Sequence, residues 1–180
     1  MGIEDGDRLV IELQGIDKRH LAFVWEKMKA GQQLVGQEIF IGRSMADHPQ
    51  WFPFFDTIGI LEGGDETLPS GENPFGHVSL HVLVGAQIFN KAPEEADTFY
   101  RMRLRKGDEP HAIIHMLIEV FQRHIFWAAR NRAPGGEMDL DLKAYGDTLR
   151  ALWHLKTPKV WARLGFATPP RPHADEVGPR

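Results

Sequence analysis

The stretch from Pro110 to Arg132 most limits what this chain can become. It opens on a proline, whose missing N–H costs nothing at a first helical position, and it is broken by Pro134-Gly135-Gly136. A long helix is expected between them. Asn73-Pro74 is a second opening of the same kind, an N-cap and a first helical residue, for a helix to about Asn90. Further helices follow from spacing and caps. Asp17 caps one through Ala30, with Leu21, Val24, Trp25 and Met28 on one stripe and Gly31 as its stop. Another runs from about Leu34 to Asp47 and ends at His48-Pro49, because the residue before proline is pushed out of the α region. A short one spans about Pro93 to Lys106 before a turn at Gly107-Asp108, and Asp139 caps a last one through about Leu155.

Trp51, Phe52, Phe54, Phe55, Ile58, Ile60 and Leu61 keep neither a helical nor a strand period. They read as an apolar elbow across helix ends, closed by a polar loop from Gly63 to Gly71. No strand pattern competes, so the expected fold is all-α, a compact helical bundle of about five or six helices. Residues 8–155 are expected as a single helical domain after a loose start at residues 1–7. Residues 156–180, rich in proline, are expected as a poorly ordered C-terminal extension with one turn around 160–164.

Composition narrows the function classes. The 180 residues include no cysteine, which removes disulfides, thiolate zinc fingers, iron–sulfur clusters and Cys nucleophiles together. With 21 Lys and Arg against 25 Asp and Glu the net charge is −4, unfavourable for indiscriminate binding to nucleic acid or anionic lipid. No run approaches the roughly 18 apolar residues of a membrane span. Glu4, Asp5, Asp7, Glu12 and Asp17 interrupt any apolar core of a secretory signal. The expectation is a soluble cytoplasmic protein with no membrane partner and no specific nucleic acid.

The chemistry lies in the two proline-opened helices. His77-Val78-Ser79-Leu80-His81 and His111-Ala112-Ile113-Ile114-His115 are both HxxxH segments followed by an apolar triplet. Residues four apart lie about 40° apart around a helix and about 6 Å apart along it, so each motif sets two imidazoles on one face. Glu119 continues the second face. With the helix from Pro93 to Lys106 running back antiparallel, the two motifs would lie side by side in one layer. His77, His81, His111, His115 and Glu119 are therefore the candidate metal ligands, all N and O donors. Helix N-termini and burial both disfavour imidazolium and keep the ring in the neutral form that binds a metal. Gln122, Ser79 and Gln87 are candidates to support them. Iron or zinc suits such a set: zinc would imply hydrolytic or structural use, iron oxygen or redox chemistry, with Glu119 alternatively a general base.

Other readings stand beside this one. Random placement of nine histidines already gives roughly 0.4 HxxxH pairs per chain. The histidines can serve structure alone in a metal-free helical interaction module, its partner surface being either the basic stretch Arg101, Arg103, Arg105 and Lys106 or the elbow Trp51 to Phe55. A pH-responsive histidine core is a third reading. The basic stretch itself reads as a solvated face balanced by Glu94, Glu95 and Asp97. His124 falls about half a turn from His115 and outside the cluster, and His20, His154 and His173 read as surface residues. The substrate or protein partner is not named by any of these motifs.

The segment Asn73-Pro74-Phe75-Gly76-His77-Val78-Ser79-Leu80-His81 resembles the signature of an uncharacterised bacterial family, domain of unknown function 1841. So do His111, His115 and Glu119, then Trp127, Asp141 and Tyr145, with Trp25, Glu38 and His48-Pro49 upstream. The resemblance covers roughly residues 22–152. It implies a compact helical fold and a shared use of these histidines, and no activity. The chain departs from the family pattern where Trp51-Phe52 replace a further histidine, at Ala86 beside Gln87, and near Arg123-His124, where acidic residues are usual. Those departures imply fewer metals, or none, in this member.

Overall fold

The computed structural model describes residues 16–59, 68–132 and 139–167. Among them are eight α-helices, one 3-10 turn and no strand. The all-α expectation holds. The count exceeds the five or six expected because short helices form in the elbow and near the C-terminus. The start at 1–7, Ile60, Leu61 and most of the Gly63 loop, the Pro134-Gly135-Gly136 break, His173 and the prolines from Pro169 onward lie outside the described residues. Contacts divide the chain into two compact units, residues 1–86 and 87–180.

In the first unit, α1 (Lys18–Lys29) starts where expected, with the Asp17 carboxylate accepting from the His20 backbone N–H at 2.7 Å. Leu21, Val24 and Trp25 form its buried stripe. Helix α2 (Glu38–Ala46) begins later than Leu34, because Gly36 adopts a left-handed φ of 56° that a helix cannot contain. Glu38 fixes this start by accepting from the Val35 N–H at 3.0 Å and pairing with Lys27 at 2.5 Å.

The chain then makes a 3-10 turn (Pro49–Trp51) and helix α3 (Phe52–Thr57). The expected elbow is thus helical. At six residues α3 is too short to show a period, but it carries a proline in its first turn. Trp51, Phe54, Phe55 and Ile58 pack with Leu21, Val24, Trp25, Ile41 and Met45 in one apolar cluster. Each such side chain contributes about 1.5–3 kcal/mol on burial.

Helix α4 (Pro74–Asn90) is capped as expected, Asn73 Oδ1 accepting from the Gly76 N–H at 2.8 Å. Its Val78 and Val82 complete the first unit's core. Gly85 lets Phe40 approach closely, since a Cβ there would stand 2.8 Å from the Phe40 ring.

In the second unit, α5 (Glu94–Arg105) packs on both α6 (Pro110–Asn131) and α7 (Leu142–Trp153), and α6 packs on α7. Phe99, Ile113, Met116, Leu117, Val120, Phe121, Tyr145 and Leu149 are buried here. Helix α7 is capped by Asp141, not Asp139: the Asp141 carboxylate accepts from the Ala144 N–H at 2.8 Å. Helix α8 (Thr157–Arg163) buries Val160 and Trp161, in a region expected to hold only one turn. The basic stretch is also not wholly a solvated face. Arg103 is fully buried, donating to the Leu155 carbonyl at 2.5 Å and Thr157 Oγ1 at 2.8 Å and pairing with Asp108. No helix among the described residues is long and apolar enough to cross a membrane.

Candidate metal centre

The first unit converts its HxxxH motif into a three-histidine cluster. One turn of α4 brings His77 Nε2 to 3.0 Å from His81 Nε2. His48, just past the end of α2, places its Nε2 at 2.9 Å from His77 Nε2. All three residues offer a ring nitrogen within 4.8 Å of one another. His48 and His81 are buried and His77 half-buried.

Proton accounting makes this cluster chemically distinctive. His48 Nδ1 lies 2.6 Å from the Ser44 carbonyl, which can only accept, so Nδ1 carries the proton and Nε2 of the neutral ring is a lone pair. His77 Nε2–H can donate to that lone pair, but the same atom also faces His81 Nε2. Three ring nitrogens thus converge on one place. A cation there can take a lone pair from each. A histidine donating its far N–H to a backbone carbonyl is the usual support of a metal-binding imidazole, fixing both tautomer and ring plane. Trp51 holds the plane from the other side, stacked on His48 at 4.6 Å and 4° and edge-on to His77 at 4.9 Å.

The second unit presents the other motif. His111 Nε2 and His115 Nε2 are 2.9 Å apart on α6, with ring centroids 4.4 Å apart at 87°. Glu119 lies one turn further, and burial pushes its carboxyl above the usual carboxylate range, with Arg123 working against that shift. Both motifs therefore bring their two imidazoles together as their spacing required.

The supporting residues separate. Ser79 Oγ donates along its own helix to the Phe75 carbonyl at 2.8 Å. Gln87 is buried and accepts from the Tyr145 hydroxyl at 2.9 Å, and burial raises that phenol's pKa. Gln122 is half-buried on α6. His124 sits at Thr148 instead: Thr148 Oγ1 donates to the Ala144 carbonyl and so accepts from His124 Nε2–H at 3.1 Å, while burial lowers the imidazole's pKa.

His48 is the residue that sequence reasoning missed as a ligand. Its signal was present in His48-Pro49, read as a helix terminator. The same proline opens the 3-10 turn that sets the His48 ring beside Trp51.

Fold and cluster together define a helical protein with a buried group of histidines able to hold a metal ion. The chain belongs to the family described as Domain of unknown function (DUF1841), whose pattern matches residues 16–150. No curated protein and no solved structure matches it.

Proposed function

We propose that this cytoplasmic protein binds a divalent transition metal, iron or zinc, through both HxxxH motifs. His77 and His81 act with His48, and His111 and His115 act with Glu119. The observation that carries the reading is the convergence of three ring nitrogens, with His48 oriented by the Ser44 carbonyl. Neutral imidazoles are the form that donates to such ions. The rival reading of a metal-free interaction module draws no support from its aromatic surface, because Trp51, Phe54 and Phe55 are buried in the core.

Elemental mass spectrometry of the untagged protein tests the proposal. Near-stoichiometric iron or zinc is expected, lost in His77→Ala/His111→Ala. His48→Ala alone is expected to weaken binding at least about tenfold, the usual lower bound for disturbing a metal's immediate surroundings. A protein that carries no metal and takes up neither iron nor zinc on addition would overturn it.

A further inference from the structure

Helix α5 packs on α6 and α7 and buries Ala96, Phe99 and Arg103. Glu94, Thr98, Arg101 and Arg105 recur at intervals of three and four, so they form one stripe on the side away from those residues. Asp97 and Met102 flank it. The charges along this face are sorted by position, with acids in the first turn and arginines in the second half. Neighbours within the chain use up part of that charge. Asp97 pairs with Arg101 at 2.9 Å, and Glu95, off the stripe, pairs with Arg150. Glu94 and Arg105, at the two ends, are exposed and have no ion pair among the described residues.

The order of these residues says what could match them. They fall into three pairs equidistant from the middle of the helix: Glu94 with Arg105, Asp97 with Met102, and Thr98 with Arg101. A two-fold axis at that midpoint would lay the same face of another α5 antiparallel to this one. Each Glu94 would then meet the other copy's Arg105, twice per pair of helices. Parallel pairing would instead set Glu94 against Glu94 and Arg105 against Arg105, which like-charge repulsion opposes. The face also has depth. With Lys91, these six residues line a cavity of about 460 Å³, room for side chains to enter as well as touch. Met102 and the aliphatic stem of Arg101 supply apolar surface between the outer pairs.

We propose that this face of α5 is the docking surface for a second copy of the chain, the two helices crossing antiparallel with Glu94 of each paired to Arg105 of the other. The inference is independent of the metal centre. Exposed ion pairs are individually weak, so the association is reversible and weakened by salt.

Sedimentation equilibrium of the wild type is compared with Glu94→Arg, Arg105→Glu and an equimolar mixture of the two variants. The wild type is expected to dimerise reversibly, less so as salt rises. Each variant alone turns two attractions per dimer into two repulsions and is expected to weaken association at least about tenfold. The mixture is expected to associate again, because one variant then presents only arginines and the other only glutamates at the contact. Far-UV circular dichroism checks that each variant keeps its helices. A measurement on the wild type needs no variant: the Met102 methyl resonance is expected to shift with protein concentration. It decides the matter alone if the variants do not fold. A wild type that stays monomeric would overturn the proposal. So would dimerisation that ignores both substitutions, folded variants that do not associate on mixing, or a Met102 resonance unmoved by dimerisation.

Discussion

Arg103 carries a permanent charge into the interior of the second unit, where water cannot solvate it. It is tolerable there because the Asp108 carboxylate, a carbonyl and a hydroxyl surround its guanidinium. Truncation would strand Asp108, so Arg103→Ala is expected to lower unfolding free energy by about 3 kcal/mol, read by urea denaturation. The surface pair partners of Asp147 act more weakly. Lys143 at 2.8 Å, and then Arg150 at 2.7 Å, hold its pKa at about 2, below its ordinary 3.8. A depressed carboxylate pKa contributes stability above the unfolded value that disappears as pH falls through the folded one. Asp147→Asn is therefore expected to lower the melting temperature slightly at pH 6, with the difference from wild type closing as pH falls from about 4 towards 2. A constant difference would contradict the assignment. At this scale the sequence was readable where partners are local. Two imidazoles four residues apart must share a helix face, and His77–His81 and His111–His115 do. Arg103 was misread because its carbonyl and hydroxyl partners, Leu155 and Thr157, lie some fifty residues away, and His48 because no ligand stands one turn from it.

Helix starts were legible wherever a side chain caps its own first turn, as Asp17 and Asn73 do. Asp139 and Asp141 show the limit of that reading. Both residues suit an N-cap, and only backbone geometry selects the second. Asp141→Ala is expected to cost about 1 kcal/mol and Asp139→Ala close to nothing, by the same denaturation measurement. Equal costs would return the cap to Asp139. Helices α3 and α8 were not anticipated because six or seven residues span less than two turns, too few to establish a period. Each nevertheless has a proline in its first turn, at Pro53 and Pro158, the mark that correctly located α4 and α6. In the tail that mark was outweighed by the neighbouring prolines.

For the molecule as a whole, metal binding is linked to folding. A ligand that binds only the folded chain adds about 2.7 kcal/mol of stability at a free concentration one hundred times its dissociation constant. Zinc or iron(II) is expected to raise the melting temperature and slow amide exchange around residues 44–51 and 74–81. A chelator should reverse both effects, and His48→Ala should reduce the gain. Unchanged melting in saturating metal would count against the centre. Absence of cysteine and the near-balanced charge had already confined the chemistry to N and O donors in a globular chain, which the helices then arranged. The bond from His48 to Ser44 has a further consequence for inheritance. Its acceptor is main chain, so replacing the side chain at position 44 leaves the bond's atoms in place. Ser44 is itself buried, so small side chains can replace it while the imidazole keeps its orientation, and the bond need leave no trace in the identity of that residue. A codon gained or lost between 44 and 48 would rotate the ring off its carbonyl in one step. The centre is thus tolerant of spelling changes and brittle to changes in length.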